Sequence, residues 1–414
     1  MKFSINTNAL RDAVVNVQRA VSSKSSLSAL EGILISTDGD SILLTGYDLE
    51  IAIKTTVEAN VTEEGSVVVG AKLFGDIIRK ADADIISVAV DDNLAINIIA
   101  GQSEFSIMGI EAVEYPELPS FEDKINFTIS SEVLRSMVSQ TIFSVSSVEG
   151  TKPVYTGILF EVRNDSIRLV AVDGHRLALR NEQIITDINE NFIIPSKTLN
   201  EILKLIGEED ENVEIFADDR HISFKVGNYL LISRLIDGEF LDYNSVIHKD
   251  CSTTVICSCS DMIRSVERMG LFISEKLKSA VRCTFDEGRA FIRCSTALGK
   301  ASDFVDCEIN GNPVEINFDN RYFTDALRAS GCDKVRIEIS SNPTAPIIIK
   351  PLEGDDFLLE VTQIGKECHS HCQIAEAVGK CIMPTEGIFA KVVKGGTINP
   401  GDRIEIREKS SVRL

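Results

Sequence analysis

The sequence contains no tryptophan, only 6% aromatic residues and no cysteine before residue 250. It also lacks any apolar run of the roughly 18 residues that a membrane-spanning helix needs, which excludes an integral helical membrane protein. Residues 1–6 lack the apolar core of a signal peptide, so we predict a cytoplasmic protein. Ten cysteines late in a 414-residue chain are not the framework of a small secreted protein, so we expect reduced thiols.

Basic residues are also in short supply. The chain has 42 Lys and Arg against 63 Asp and Glu, a net charge of −21. Taken alone, this charge argues against nucleic-acid binding, because contacts to phosphates need Lys and Arg. An acidic chain can still handle DNA if its basic groups lie together on one surface. The length allows two to four domains at roughly 100–200 residues each.

Three successive blocks of the chain follow one order of elements. Each opens with an amphipathic helix, and the three are predicted at 8–21, 131–145 and 260–273. These segments begin with Asn or Ser, which favour the helix N-cap. Alternating runs around a polar turn then predict β-hairpins at 32–48, 157–173 and 281–294. Second helices are predicted at 71–80, 196–205 and 320–329. The repeated order indicates a threefold repeat architecture.

The predicted helices are the basic part of this acidic chain. The windows around them hold 15 Lys and Arg but 9 Asp and Glu, a net charge of +6. If the helices line one surface and the sheets another, that surface attracts phosphates without reading bases. Helices favour Lys and Arg in any case, so charge alone leaves open both a DNA-facing surface and ordinary solvated helices.

Several stretches carry a resemblance to a known family. They are Met-Lys-Phe at 1–3, Leu-Thr-Gly-Tyr-Asp-Leu-Glu at 44–50, Val-Asp-Gly-His-Arg-Leu at 172–177, Asp-Gly-Glu-Phe at 237–240 and Pro-Leu-Glu-Gly-Asp-Asp-Phe at 351–357. Over residues 1–357 the chain resembles the bacterial sliding clamp, the beta subunit of DNA polymerase III. The resemblance implies an α+β fold of three repeated clamp domains, each with two helices packed on antiparallel sheets. We expect these domains at 1–122, 125–247 and 250–357.

The resemblance also implies a function. The family forms a head-to-tail homodimeric ring whose helices line the hole, and the ring encircles double-stranded DNA regardless of sequence. Its implied partners are the clamp loader, DNA polymerase III and other clamp-binding proteins. We therefore expect no catalytic residue, no cofactor and no membrane partner. His175 beside Asp173 could suggest an acid–base pair, but no nucleophile or orienting group accompanies it in the sequence.

The resemblance assigns three sets of site residues. The DNA-facing set is Lys24, Lys72 and Lys197. The hydrophobic pocket for client peptides is walled by Tyr155, Val172, Gly174, His175, Arg176, Leu177, Leu241, Val246, Val412, Arg413 and Leu414. The dimer interface is assigned to Phe105, Ile107, Leu271 and Phe272. Two departures concern the pocket: Leu241 stands where the family usually has Pro, and Ser410-Ser411 replace an apolar-Pro pair.

Residues 358–409 do not continue the clamp pattern. Gly-Lys-Glu-Cys at 365–368 and Cys-Ile-Met-Pro-Thr-Glu-Gly at 381–387 resemble part of a MOSC domain, the molybdenum-cofactor sulfurase C-terminal family. The resemblance makes Cys368 the sulfur-carrying or molybdenum-binding residue. A dense group of soft ligands, which includes Cys368, His369, His371 and Cys372, lacks the usual Cys-x-x-Cys pairs, so we expect no bound metal.

The C-terminus leaves alternatives open. Residues 358–364 are β-prone and can serve as the last clamp strand, or the added segment can loop out so that the clamp-like tail, 410–414, returns to the pocket. The first function is a sliding clamp with an intact pocket. The alternatives are a MOSC-type sulfur carrier or enzyme that uses Cys368, and a clamp whose client pocket is disabled.

Overall fold

The structure is a computed structural model of the 414-residue chain. It describes residues 1–119, 125–147, 151–208, 211–247, 250–273, 280–341, 345–353 and 356–361. The chain divides into two compact units, the first formed by Met1–Asp242 and the second beginning at Tyr243, with a short stretch near residue 356 assigned to the first. No helix in these ranges is long and apolar enough to cross a membrane.

The first unit contains two successive repeats. The first repeat comprises β1 (Lys2–Asn6), α1 (Thr7–Val17), β2 (Gly32–Asp38), β3 (Ser41–Tyr47), β4 (Ile51–Glu58), β5 (Asn60–Glu63), β6 (Ser66–Gly70), α2 (Ala71–Lys80), β7 (Ile85–Val90), β8 (Ala95–Ala100) and β9 (Ser103–Ile110). The second comprises β10 (Ile125–Ser130), α3 (Ser131–Thr141), β11 (Gly157–Arg163), β12 (Ser166–Val172), β13 (Arg176–Gln183), β14 (Glu190–Pro195), α4 (Ser196–Leu205), β15 (Asn212–Ala217), β16 (His221–Val226) and β17 (Tyr229–Arg234).

The second unit contains the third repeat. Its elements are β18 (Thr253–Ser258), α5 (Cys259–Gly270), β19 (Val281–Asp286), β20 (Arg289–Thr296), β21 (Gly299–Gly311), β22 (Val314–Phe318), α6 (Asn320–Ala329), β23 (Lys334–Ile339), β24 (Ile347–Pro351) and β25 (Asp356–Val361). Within the described residues, all three repeats therefore have the order strand, helix, four strands, helix, three strands, and the first repeat adds β5.

Strand pairing repeats as faithfully as element order. The strand before the first helix pairs antiparallel with the strand after the second helix, as in β1–β7, β10–β15 and β18–β23. The two hairpin strands and the strand before the second helix form the other sheet of each repeat. In the first unit, β17 pairs antiparallel with β4, so one hydrogen-bonded sheet runs through both of its repeats.

The helices bury one apolar face against these sheets. On α1 the buried side chains are Leu10, Val14 and Val17, which recur at helical spacing, and on α3 they include Leu134 and Met137. A single apolar core links both repeats of the first unit. The opposite faces of the helices carry polar side chains. The Lys and Arg residues that were predicted to attract phosphates belong to these faces.

The second helices and the hairpins were predicted well, and the first helices less well. The structure confirms α2, α4 and α6 at the predicted bounds. The predicted caps were wrong: α1 is capped by Asn6, which accepts from the N–H groups of Asn8 and Ala9 at 3.0 and 3.1 Å. Similarly, Ser258 caps α5 by accepting from the N–H of Asp261 at 3.3 Å. An N-cap residue precedes the first helical turn, because its side chain accepts from the free N–H groups of that turn. The observed caps therefore lie two residues before the predicted helix starts at 8 and 260.

The first helices also end sooner than predicted. The α-helical part of the first ends at Val17 and that of the third repeat at Gly270, and α3 gives way to a 3₁₀ turn after Thr141. Every cysteine in the described ranges is free.

The β-prone stretch 358–364, one of the two alternatives for the last clamp strand, overlaps β25, which starts at Asp356, ends at Val361 and pairs antiparallel with β24 through Ile347 and Val361. The remaining C-terminal predictions lie outside the described residues. These are the MOSC-like segment beyond residue 361, with Cys368, His369, His371 and Cys372, and the tail with Val412, Arg413 and Leu414.

Candidate functional site

The turn between β12 and β13 is built around one carboxylate. Oδ1 of Asp173 accepts from the backbone N–H groups of His175 and Arg176 at 2.9 and 3.0 Å, and Oδ2 accepts from Nε of Arg176 at 2.9 Å. Gly174 has a φ of 88°, a left-handed conformation that glycine adopts without strain. The sequence Asp-Gly-His-Arg therefore encodes a rigid turn that presents His175, which is exposed.

Arg176 supports this turn from the interior. Its side chain is only 7% exposed, its Nη2 donates to the backbone oxygen of Phe143, and its guanidinium lies 5.2 Å from the centre of the Phe143 ring. The ion pair with Asp173 leaves little of this charge for a ligand. Arg176 is thus placed to shape the predicted pocket rather than to offer its charge to a peptide.

An aromatic pair stands near the start of β11. The rings of Tyr155 and Phe240 meet edge to face, with centroids 5.8 Å apart and planes at 84°. A Cβ atom on Gly238 would lie 2.8 Å from Cγ1 of Val154, so the backbone at Gly238 passes close to Val154. Both rings are half-buried, and each keeps surface for a ligand. Phe240 was not among the predicted pocket residues, although it ends the Asp-Gly-Glu-Phe stretch at 237–240.

The other predicted pocket residues fall into two groups. Val172 and Leu177 are cross-strand partners that flank the Asp173 turn, and both are buried, so they form its apolar base. Leu241 follows Phe240 and is half-buried. Val246 is also half-buried but belongs to the second unit.

The three predicted DNA-facing lysines differ in their partners. Lys24 and Lys72 are exposed, and neither side chain has an ionic partner among the described residues. By contrast, Nζ of Lys197, at the start of α4, donates to Oδ2 of Asp48. Because Lys197 is half exposed, a phosphate could compete with Asp48 for it.

Several other basic side chains of the helices are already neutralised. Their ion pairs are Arg79–Asp76, Lys204–Glu201, Arg264–Asp261 and Arg328–Glu267. Exposed pairs of this kind still present their donors to solvent, but their net field is small. The basic side chains of the helices that have no acidic partner in the described structure, such as Lys72 on α2, therefore contribute most to the positive potential of these helices.

The first unit presents an open strand edge. Strand β9 pairs with β8 along Ser103–Met108 but with β6 only at Gly109 and Ile110, so its second edge is unpaired over its first six residues within the described structure. Phe105 on this strand is 37% exposed, Ile107 is half-buried and Met108 is 68% exposed. An apolar open edge is suited to pairing with another strand. Met108 was missed by the sequence analysis.

The second unit has a comparable edge. Residues Gly299–Asp306 of β21 pair with β20, and only the later residues pair with β18, which leaves the first part open on one side in the described structure. Phe304 on this edge is half exposed, and the Arg289 guanidinium lies 4.6 Å from its ring centre.

The predicted interface residues Leu271 and Phe272 belong to the same unit. Leu271 is 80% exposed, and a side chain on Gly299 would lie 3.2 Å from the Phe272 ring. They lie close to the start of β21. Phe304 was not predicted as an interface residue, because its exposure depends on the point at which β21 stops pairing with β20 and begins to pair with β18. In the described ranges no group of three or more His, Cys, Asp or Glu is placed to bind a metal ion.

Three family models match the chain in order. The N-terminal, central and C-terminal domains of the DNA polymerase III beta subunit match residues 1–119, 128–242 and 244–362. These matches cover each of the three structural repeats and end close to the end of β25.

Individual proteins match across nearly the same length. The beta sliding clamp of Bacillus subtilis is 30% identical over 353 residues, which cover 82% of this chain and 93% of that protein. A crystal structure of the Bacillus subtilis DNA polymerase sliding clamp superposes with a TM-score of 0.85 at 28% identity, covering 88% of this chain and 99% of that one. A Pseudomonas aeruginosa clamp bound to griselimycin gives a TM-score of 0.84 at 27% identity, with 88% and 99% covered.

Proposed function

The chain belongs to the DNA polymerase III beta subunit, or beta sliding clamp, family, and from this membership we propose that it is a processivity factor. As such, it would encircle double-stranded DNA and tether DNA polymerase III and other clients in the cytoplasm, without catalysis of its own. The observation that carries the proposal is the match of all three beta subunit domains, in order, to three structural repeats.

The acidic net charge is compatible with this function. A closed ring is retained on DNA by topology, so weak and sequence-independent attraction is sufficient. Tight contacts would oppose sliding. Exposed Lys24 and Lys72 supply such weak attraction, and Lys197 adds to it when a phosphate replaces Asp48.

Two different open edges support a homodimeric ring. An interface between unlike surfaces of identical subunits closes into a ring when the rotation allows it. We propose that the β9 edge of one subunit, with Phe105 and Ile107, pairs with the β21 edge of its partner. Leu271 and Phe272 would then be covered by the interface, which gives the 80% exposed Leu271 a reason to be apolar.

The client pocket is proposed at the surface formed by Tyr155, Val172, Leu177 and the Asp173 turn. Its apolar base and its edge-to-face aromatic pair fit a short peptide with apolar anchors. Gly174, His175 and Leu241 would border it. The family resemblance also assigns Val246 to the pocket, with Val412, Arg413 and Leu414, which lie outside the described residues. The clamp loader would use the same surface.

Retention on circular DNA tests the proposal directly. After loading by a bacterial clamp loader, the protein should remain on a nicked plasmid during gel filtration and be lost when the plasmid is linearised. Gel filtration of the free protein should give a dimer, twice the 45.4 kDa of the chain. Equal retention on circular and linear DNA, or a monomer that never binds, would contradict it.

We propose the domain bounds 1–122, 125–247 and 250–357, followed by a MOSC-like segment at 358–409 and a clamp-like tail at 410–414. Elemental analysis for molybdenum and zinc, with Cys368→Ser as the matched variant, tests the alternative of a sulfur carrier. A clamp with a disabled pocket would still be retained on circular DNA. Titration with a fluorescent clamp-binding peptide is therefore needed to distinguish it from a clamp with an intact pocket.

A further inference from the structure

Strands β18 and β21 place two cysteines directly opposite each other. In their antiparallel register Cys257 is the partner of Cys307, and both thiols are free. Directly opposed residues of an antiparallel pair point to the same face of the sheet. On β18 this face also holds buried Val255, and on β21 it holds buried Val305, so both sulfurs turn toward the interior side.

The backbone shows which kind of cross-strand pair this is. The N–H of Cys307 donates to the backbone oxygen of Gly288 at 2.9 Å, on the side of β20. In an antiparallel sheet the N–H and C=O of one residue point toward the same neighbouring strand. Cys307 therefore exchanges no backbone hydrogen bond with Cys257 on β18. Such non-hydrogen-bonded pairs have Cα atoms about 4.5 Å apart and closely spaced side chains. Disulfides accept Cα separations of about 4.4–6.8 Å.

The two thiols differ in access. Cys257 is 3% exposed, whereas Cys307 is only half-buried. A small oxidant can therefore reach Cys307 first, and Cys257 stands where a resolving thiol is needed.

We propose that Cys257 and Cys307 are a redox-sensitive pair that hydrogen peroxide converts into a disulfide joining β18 to β21. The Cys307 sulfur attacks one peroxide oxygen, the O–O bond breaks, and water leaves with the formation of a sulfenic acid. The Cys257 sulfur then attacks the sulfenic sulfur, the S–O bond breaks, and a second water leaves. The two thiols lose two electrons in total, and the peroxide is reduced to two waters.

The surroundings make both thiols slow to react with peroxide. Burial raises the pKa of Cys257 to about 12 and that of Cys307 to about 11. Both groups are therefore thiols near neutral pH, and only the small thiolate fraction reacts. We therefore expect the disulfide to form only at elevated peroxide.

The position of the pair gives the bond a structural consequence. The register of β21 with β20 ends at Asp306 and its register with β18 begins at Cys307, whose N–H still donates to Gly288 next to β20. A covalent link at this point would fix the joint between the two sheets of the third repeat. The inference stands apart from DNA binding, because it rests only on the register within this repeat.

Peptide mapping of the full chain tests the pair. The reduced protein is treated with hydrogen peroxide, its remaining thiols are alkylated, and it is digested without reduction for mass spectrometry. We expect a peptide containing Cys257 linked to one containing Cys307, lighter by two hydrogens than the sum of the thiols. The oxidised protein should also unfold at a higher urea concentration, because the link restricts the unfolded chain.

Two variants make the assignment specific. Cys307→Ser should lose both the linked peptide and the stabilisation by peroxide. Cys332→Ser is the matched control, because Sγ of Cys332 contacts Oγ of Ser330 at 3.4 Å and is not the partner of Cys257 in the sheet. It should retain both effects. The proposal is overturned if wild-type protein oxidises at exposed Cys251 without the 257–307 link, if Cys257 links mainly to Cys283 or Cys259, or if peroxide lowers the urea midpoint.

Discussion

Lys197 on α4 donates from Nζ to Oδ2 of Asp48, which connects the second repeat to the β3–β4 turn of the first. The other oxygen, Oδ1, accepts from the backbone N–H groups of Glu50 and Ile51 at 3.0 and 2.8 Å. Asp173 organises the equivalent turn of the second repeat in the same way, but its second oxygen binds Arg176 of its own turn. The same turn thus has two uses: in the first repeat, Asp48 binds Lys197 of the second repeat, and in the second repeat, Asp173 shapes the predicted pocket.

Replacement of Asp48 by Ala should destabilise the first unit more than replacement of Lys197 by Ala. Asp48→Ala removes two backbone hydrogen bonds to a largely buried carboxylate, at a cost of about 2 kcal/mol in unfolding free energy. Lys197 is half exposed, so the loss of its pair alone should cost about 0.2–1 kcal/mol. Urea unfolding of both variants and the double variant measures this, and equal single costs would contradict the interpretation.

Charge reversal at the unpaired lysines should weaken DNA binding without sequence dependence. Lys24→Glu and Lys72→Glu each remove a phosphate contact, so the slope of log affinity against log salt should fall by about 0.9 per contact. The matched control is Lys225→Glu, an exposed strand lysine that pairs with Glu214 at 2.7 Å. Fluorescence anisotropy with duplex DNA over a salt series gives the slopes. An equal change in the control would indicate a nonspecific effect of net charge.

Charges placed on the open edges should give monomers. Leu271→Asp and Phe105→Asp change side chains that are at least partly exposed in the single chain, so their folding cost should be small. In a dimer the same carboxylates would be buried without a partner, at a cost of several kcal/mol. Ile185→Asp, at a fully exposed loop residue, is the control and should remain dimeric. Sedimentation velocity measures the oligomer, and dimers in all three variants would refute the proposed interface.

The aromatic pair offers a test of the client pocket. Tyr155→Ala removes the edge-to-face contact with Phe240 and part of the proposed peptide surface. We expect at least a tenfold loss in affinity for a clamp-binding peptide, or about 1.4 kcal/mol. Tyr155→Phe keeps the ring pair and should bind nearly as well as the wild type. Fluorescence titration distinguishes the two, and unchanged binding by Tyr155→Ala would place the pocket elsewhere.

Alkaline pH should reveal the buried Tyr115. Burial raises the pKa of its phenol well above the usual value, and its hydroxyl donates to the backbone oxygen of Thr45 at 3.2 Å. The folded state holds this proton more tightly than the unfolded state, so its stabilisation is complete below about pH 10 and is lost as the pH rises further.

The variant Tyr115→Phe should therefore be less stable than the wild type by about 1 kcal/mol at neutral pH. It should also lose less stability than the wild type above about pH 10. Urea unfolding at neutral pH and above about pH 10 measures both effects, with the partly exposed Tyr155→Phe as the control. Parallel pH profiles for wild type and Tyr115→Phe would contradict the assignment.

Local patterns in the sequence determined the threefold repeat, the second helices and the hairpins. α2 could be predicted to the residue because its apolar side chains recur at helical spacing between a strand and a non-helical residue. Family signatures located the Asp173 turn. The caps at Asn6 and Ser258 lie just outside the periodic segments, which is why the helix starts were misplaced.

Only the tertiary structure decided which distant residues meet. Lys197 and Asp48 are 149 positions apart, and the opposition of Cys257 and Cys307 depends on a strand register that a shift of one residue would destroy. The open edges of β9 and β21 likewise exist because each strand exchanges one partner for another along its length. Such pairings depend on contacts between whole sheets, so periodicity within one segment does not reveal them.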